Sequence, residues 1–338
     1  MLNDTIFPCC AYLNSSEHLG HLSRKEIEDR IKRKESPFSW KENYIVESVN
    51  SPSHLKLLEK YKIPFVVDIH AHFFPQMIMK LIWKWFDSAN WAIFYRFSEE
   101  LRLEYLKKNK IYYFTTLNYA HKKGMAIGLN DWIFENYKKW KGAIPFGTFF
   151  PENGVLSYVI KAVEEYRFKG FKLHCEVSKL DLNRIELADT FNYLQREQIP
   201  IVIHTGHAPL PGDFTGVSHF SKFMKKFPEL KVIVAHMGAY EVEEYASLLP
   251  IYENLYLDTT MVFVDFLATG KEANEYYPIL EKFSGRIFFG SDFPNIPYTL
   301  SHPISKLLLS PISDLAKQRI MYLNALELFS LDLNLGNK

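Results

Sequence analysis

Short apolar runs recur along most of this chain, and segments with the apolar spacing of helices separate them. The runs are rich in β-branched and aromatic residues, which is typical of buried strands. They predict eight strands, at residues 65–72, 112–117, 144–149, 170–174, 201–204, 231–236, 255–258 and 286–290. The intervening segments predict amphipathic helices, for example at residues 153–167, 181–198, 218–227, 240–249 and 271–283.

Eight strands that alternate with helices over about 250 residues favour a (β/α)8 barrel. An open, doubly wound sheet is the second possibility, but no Gly-x-Gly-x-x-Gly sequence follows an early strand. We therefore predict the α/β class and a TIM barrel, in one domain that covers residues 61–338.

Two segments do not fit the strand–helix alternation. Residues 1–60 predict an N-terminal extension packed on the barrel, with a charged helix at 23–34 whose acids and bases are interleaved. Residues 73–110, which follow strand one, are unusually aromatic and predict a helical insertion. The insertion either lies beside the mouth of the site or forms ordinary helical core, and spacing alone favours neither.

Composition narrows the class of partner. The 338 residues include 40 basic and 39 acidic side chains, a balance that argues against nucleic acid or an anionic membrane as the main partner. The three cysteines, Cys9, Cys10 and Cys175, suit no disulfide framework and predict a reducing compartment. With no signal peptide or membrane span in the sequence, we expect a cytoplasmic protein that acts on a small molecule.

Two histidines close the first predicted strand, which reads FVVDIHAH over residues 65–72. Side chains two residues apart in a strand leave the same face, so His70 and His72 can bind one metal ion together. Alone the pair is weak evidence, because two polar histidines at the opening of a loop are about as common as a metal-binding pair.

Other predicted strands also end in residues that bind metals or transfer protons. They are Lys172 and His174 on strand four, His204 on strand five, His236 on strand six and Asp292 after strand eight. Taken singly, each has an ordinary structural explanation, such as a turn or helix cap for Asp292. Because barrel active sites lie at the carboxyl ends of the strands, five such strand ends together predict an active site.

These segments resemble the amidohydrolase superfamily, in particular the branch that includes the aminocarboxymuconate-semialdehyde decarboxylase-like enzymes. The matching motifs are VDIHAH at 67–72, GFKLH at 170–174, IVIHTG at 201–206, VAHMG at 234–238 and FGSDFP at 289–294. The closing segment YLNALELF at 322–329 is also similar to the family's usual ending.

The resemblance implies one divalent metal ion with four ligands, which are His70, His72, His204 and Asp292. Three imidazoles and a carboxylate suit zinc best, with manganese or iron as alternatives. Asp292 would hold a metal-activated water and take its proton, and His236 would polarise the substrate carbonyl or stabilise the oxyanion.

Three further residues have open roles. In some relatives a lysine on strand four is carboxylated and bridges two metals, whereas Lys172 could equally pair with an inward acid such as Asp68. His174 and His207 can contact substrate or a second metal, although His207 is equally well explained as an exposed loop residue.

Three functions follow from this set. We expect a metal-dependent hydrolase of an amide, ester or lactone, with a non-oxidative decarboxylase of a carboxylic acid as the alternative. A decarboxylase needs a cation to hold the substrate carboxylate, and the sequence does not place Arg96 or Arg102 of the insertion at the mouth. A non-catalytic metal-binding protein ranks third, because such a protein would not need all of the predicted metal ligands and proton-transfer residues. A homodimer is possible.

Overall fold

The computed structural model describes residues 54–88, 91, 93, 95–208, 211–264 and 273–333. Its strands are β1 Val66–Asp68, β2 Ile111–Thr115, β3 Ala143–Ile144, β4 Phe146–Thr148, β5 Gly170–His174, β6 Ile201–His204, β7 Val232–Val234, β8 Leu255–Asp258 and β9 Ile287–Phe288. All pairings between these strands are parallel, within the orders β1-β2-β3 and β4-β5-β6-β7-β8-β9. Such a chain-ordered parallel array, with helices between strands, confirms the predicted α/β barrel class.

The strand array has two breaks, one between β3 and β4 and one between β9 and β1. Pro145 separates β3 from β4, and because proline has no N–H to donate, the predicted strand at 144–149 becomes two short pieces. The first and last strands are joined just beyond their ends, where the N–H of Ile69 donates to the carbonyl of Phe289 at 3.0 Å. This bond brings the carboxyl end of β1 beside that of β9.

Twelve α-helices are found among the described residues. They are α1 His54–Lys60, α2 Gln76–Ser88, α3 Glu99–Lys108, α4 Met125–Asn136, α5 Val155–Glu164, α6 Ala188–Arg196, α7 Val217–Lys226, α8 Val242–Leu248, α9 Tyr277–Lys282, α10 Ser301–Leu309, α11 Asp314–Gln318 and α12 Asn324–Phe329. A π-helical turn, Arg319–Leu323, connects the last two. The apolar spacing explains their packing: in α5 the buried residues are Val155, Val159 and Ala162, which share one helix face.

The aromatic segment at residues 73–110 contains α2 and α3, in agreement with its predicted helical content. We keep the name insertion for it. Several of its contacts are with the chain that follows Asp292. The indole N–H of Trp91 donates to the carbonyl of Asn295 at 3.0 Å, and the Tyr95 hydroxyl donates to that of Tyr298 at 3.1 Å. The ring of Tyr95 also packs on that of Phe293, with ring centroids 4.9 Å apart. The insertion therefore supports the loop that carries a predicted site residue.

Some predictions fall on residues outside the described ranges, namely the charged helix at 23–34 and the thiols of Cys9 and Cys10. Of the helices in the described ranges, none is both long enough and apolar enough to cross a bilayer.

Candidate metal centre

Three buried side chains converge where β1 and β9 end. His70 and His72 follow β1, Asp292 follows β9, and one potential ligand atom from each lies within 4.8 Å of the others. Asp292 Oδ1 is 2.9 Å from His72 Nε2 and 3.6 Å from His70 Nε2. We call these three residues the metal group.

The local backbone explains why these side chains meet. The chain stays extended after β1, and His72 pairs with Leu117 in a parallel bridge, so both histidines point to the same side. Asp292 has a left-handed φ of 69°, and its N–H donates to the carbonyl of His70 at 2.8 Å. Gly290 is required nearby, because a Cβ at this position would lie 2.7 Å from that of His70.

Asp258, the last residue of β8, organises the site although the sequence analysis gave it no role. Its Oδ2 accepts a hydrogen bond from His70 Nδ1 at 2.9 Å. Its Oδ1 accepts from the backbone N–H groups of His236, at 2.9 Å, and Thr260, at 3.1 Å. Burial alone would raise the pKa of this carboxyl, but the contact with His70 foremost, together with the positive charge of Lys172, outweighs burial and holds the pKa well below its usual range. The only indication of this role in the sequence is that Asp258 is an acid at the end of a predicted strand.

The hydrogen bond from His70 to Asp258 decides which imidazole nitrogen can bind a metal. Because a carboxylate only accepts, Nδ1 carries the proton. Lys172 Nζ, which only donates, lies 3.2 Å from Nε2, so Nε2 keeps its lone pair beside Asp292. Asp292 Oδ2 is buried and has no hydrogen-bond partner among the described residues. Two imidazoles and a carboxylate with an unused buried oxygen fit a divalent cation. The chain therefore has a candidate divalent-metal site.

His236 lies beside this group on a strained turn. It and the next three residues have left-handed backbone angles, with φ of 57°, 50°, 81° and 49°. The hydrogen bond from its N–H to Asp258 helps to hold this arrangement. Its Nδ1 donates to the carbonyl of Thr260 at 3.1 Å, so Nε2 has the lone pair. With its ring centroid 4.9 Å from that of His70, His236 can exchange a proton next to the metal group.

His174 and His204 form a second cluster, which we call the histidine stack. They are register partners on β5 and β6, and their ring centroids lie 4.0 Å apart with an interplanar angle of 15°. His204 Nε2 donates to the carbonyl of Ala208 at 2.9 Å, so its lone pair is on Nδ1. His204 is not among the three residues whose ligand atoms converge. Its role as a fourth ligand stays a prediction, which metal loss in His204→Ala would support.

Lys172 Nζ lies 3.2 Å from His70 Nε2, and its positive charge contributes to the lowered pKa of Asp258. Of the inward acids, Asp258 rather than Asp68 is therefore the one on which Lys172 acts. The Asp68 carboxylate accepts hydrogen bonds from the Ser291 hydroxyl, from the Ser291 N–H at 3.1 Å and from the His70 N–H at 3.0 Å. Burial raises the pKa of Asp68 to about 6. Asp68 thus ties β1 to the loop after β9, a long-range contact that strand spacing could not reveal.

His207 lies outside the metal group. Its Nδ1 is 3.0 Å from Glu241 Oε2, and its side chain is 37% exposed. This position fits the exposed-loop alternative for His207 better than a role as ligand.

Comparison of the chain with known protein families identifies the family to which it belongs. The model of the amidohydrolase family matches residues 67–331. The chain belongs to this family. The match spans the metal group, His236 and the histidine stack, in agreement with the resemblance carried by the motifs. No curated protein sequence matches this amidohydrolase.

Solved structures share the fold of this amidohydrolase at low sequence identity. An uncharacterised TIM-barrel protein from Bordetella bronchiseptica is 16% identical, with a TM-score of 0.63 over 81% of this chain and 99% of its own. A 5-carboxyvanillate decarboxylase from Sphingomonas paucimobilis is 12% identical, with a TM-score of 0.58 over 79% and 99% of the two chains. A dihydroxybenzoic acid decarboxylase from Polaromonas sp. JS666, solved with manganese and the inhibitor 2-nitroresorcinol, is 18% identical, with a TM-score of 0.60 over 79% and 97%.

The two arginines considered as carboxylate anchors have other partners in this amidohydrolase. Arg96 forms an exposed ion pair with Asp87. Arg102 is buried with its guanidinium 5.5 Å from the ring centroid of Phe73. Neither contact involves the metal group, so an anchor for a substrate carboxylate has to be sought elsewhere.

Proposed function

We propose that this amidohydrolase is a metal-dependent, non-oxidative decarboxylase of a small aromatic carboxylic acid. The observation that carries the proposal is the buried convergence of His70, His72 and Asp292. Structural neighbours that are decarboxylases, one of them with bound manganese, support this reaction over the hydrolysis that we first favoured from sequence. Their identity is below 20%, so the substrate of this chain has to be established by experiment.

Aromatic side chains beside the metal group support an aromatic substrate. The ring centroid of Tyr119 lies 5.9 Å from that of His72 and 5.2 Å from that of His174. Phe74 packs edge-on against Tyr119 at 5.3 Å. Flat, apolar surfaces of this kind favour a ring-bearing ligand with a few polar groups.

Decarboxylation replaces the bond between a ring carbon and the carboxyl group with a bond to hydrogen, and it releases carbon dioxide. The chain must therefore hold the carboxylate and supply one proton to the ring carbon. Asp292 Oδ2 and His236 Nε2 are the groups that we assign to proton transfer. When bound, a divalent metal supplies the positive charge that binds and polarises substrate oxygens.

The identity of the metal is part of the proposal. His70, His72 and Asp292 would hold a divalent ion through two nitrogens and one oxygen, a mixed set that suits manganese as well as zinc. Zinc is the metal expected from the ligand types alone, whereas the Polaromonas neighbour was solved with manganese. We therefore propose a divalent cation whose identity elemental analysis decides.

The test is release of carbon dioxide from carboxyl-labelled acids. Protein loaded with manganese or zinc is incubated with 2,6-dihydroxybenzoate and 5-carboxyvanillate, and in parallel with aromatic esters and lactones. Release of label by the wild type, absent in Asp292→Asn, supports the decarboxylase. Hydrolysis of an ester or lactone without release of carbon dioxide would restore the hydrolase and refute this proposal.

A further inference from the structure

His174 lies at the same end of the barrel as the metal group but belongs to the opposite wall. It is the last residue of β5 and is 1% exposed. Tyr119 contacts both regions, with its ring centroid 5.2 Å from that of His174 and 5.9 Å from that of His72. One aromatic ring therefore contacts both His174 and a residue of the metal group.

The turn after β5 determines which nitrogen of a neutral His174 carries the proton. The backbone N–H of Val177 donates to His174 Nδ1 at 3.3 Å, and the N–H of Ser178 donates to the carbonyl of His174 at 3.0 Å. The Ser178 hydroxyl in turn donates to the carbonyl of Ala120 at 2.6 Å, which ties the turn to the chain after β2. The acceptor nitrogen is thus held in place by the backbone.

A backbone N–H can only donate, so Nδ1 of His174 uses its lone pair to accept this bond. In a neutral imidazole the proton is then on Nε2. A ring in this state has no free lone pair for a metal, because one nitrogen accepts a hydrogen bond and the other carries hydrogen.

We propose that His174 donates a hydrogen bond from Nε2 to an oxygen of the substrate, and that it is not the ligand of a second metal. This inference rests on the proposed function and names a residue that binds the substrate. The oxygen must be an acceptor without a proton, as a carboxylate or phenolate oxygen is. His174 would supply part of the anchor for the substrate carboxylate. Arg96 and Arg102 do not supply it, because they contact other residues.

Stacking on His204 restricts the direction in which His174 can donate. The two rings are nearly parallel, with centroids 4.0 Å apart, so rotation of one about χ2 would break the contact between them. A donor fixed in this way selects for the position of the accepting oxygen.

The first experiment counts metal in two variants. His174→Asn keeps an oxygen near the position of Nδ1 to accept from Val177, but it does not reach the position of Nε2. His174→Gln can place an amide N–H near that position. We expect both variants to bind as much manganese per chain as the wild type. A loss of metal in either, relative to a His219→Asn control at the ion pair with Asp181, would contradict the inference.

The second experiment titrates 2-nitroresorcinol into the manganese-loaded proteins. We expect His174→Asn to bind it roughly 10- to 100-fold more weakly than the wild type, since a hydrogen bond to a charged oxygen is lost, and His174→Gln to recover part of this loss. Equal affinities of wild type and His174→Asn, including no binding by either, would refute the substrate role.

A third readout does not depend on the folding of a variant. Nitrogen NMR of the imidazoles in zinc-loaded wild type should show His174 protonated on Nε2 and free of zinc, and a zinc-bound nitrogen on His174 would overturn the inference. The metal counts and the NMR readout are separate from the test of the proposed function, because a hydrolase could equally use His174 as a donor and would still release no carbon dioxide.

Discussion

The metal group and the histidine stack contain the same kinds of side chain but use them differently. His70 donates from Nδ1 to the carboxylate of Asp258, so its Nε2 lone pair faces Asp292 and His72. In the stack, His174 accepts from the N–H of Val177, and its proton is on Nε2. His70 in the metal group therefore offers a lone pair, and His174 in the stack offers a hydrogen-bond donor.

This difference shows that the partner of the remote nitrogen decides the chemistry of a buried histidine. A carboxylate partner prepares the opposite nitrogen to bind a metal, whereas a backbone N–H prepares it to donate. His236 follows the first pattern, through the carbonyl of Thr260. Three of the variants described below change one such partner or one such ring at a time.

The largest effect is expected for His236→Asn, which removes the ring beside the metal group without removing a residue of that group. We expect the metal content to stay as in the wild type and the turnover of an accepted substrate to fall by roughly 10²- to 10⁴-fold, since a proton-transfer group is lost. Elemental analysis and initial rates on the same preparation check this. Retained turnover would remove His236 from the catalytic residues.

A smaller effect is expected for Asp258→Asn, which changes the remote partner of His70. An amide can still accept from the His236 N–H through oxygen, but it cannot accept from both His70 and His236 as the carboxylate does. We expect the affinity for manganese or zinc to fall about 10- to 100-fold, as for other residues that orient a metal ligand. Isothermal titration measures this, and an unchanged affinity would show that Asp258 does not prepare His70.

The smallest effect is expected for Tyr95→Phe, which removes one hydrogen bond between the insertion and the loop after Asp292. The lost bond to the carbonyl of Tyr298 is worth about 1 kcal/mol, so we expect metal affinity to fall by about 5-fold or less. Tyr137→Phe, which loses a bond to the carbonyl of Tyr166 elsewhere, is the matched control. If both variants bind metal as the wild type does, the insertion does not position Asp292.

Local rules explain why part of the site could be predicted from sequence. The two-residue spacing of His70 and His72 reports directly on which face of an extended chain they share. The strand-end position of His174 and His204 also follows from short apolar runs. These features depend on a few neighbouring residues, and the structure places all four side chains inside the barrel end.

Other features depend on contacts between distant parts of the chain and could not be predicted. The bond between His70 and Asp258 joins residues 188 positions apart, and the Asp68 contacts with Ser291 span 223 positions. The order of hydrogen bonds around His174 depends on a turn whose conformation the sequence did not reveal. The tautomers of these histidines therefore depend on contacts that sequence spacing does not report.

The most direct test of the central claim is the amount and identity of metal per chain in protein purified without chelators. We predict about one divalent ion per wild-type chain and loss of most of it in His70→Ala, because the Nε2 lone pair of His70 is prepared for binding. Two ions per chain, or full retention of metal in His70→Ala, would contradict a single site built on the metal group. No metal, even after reconstitution, would also contradict it.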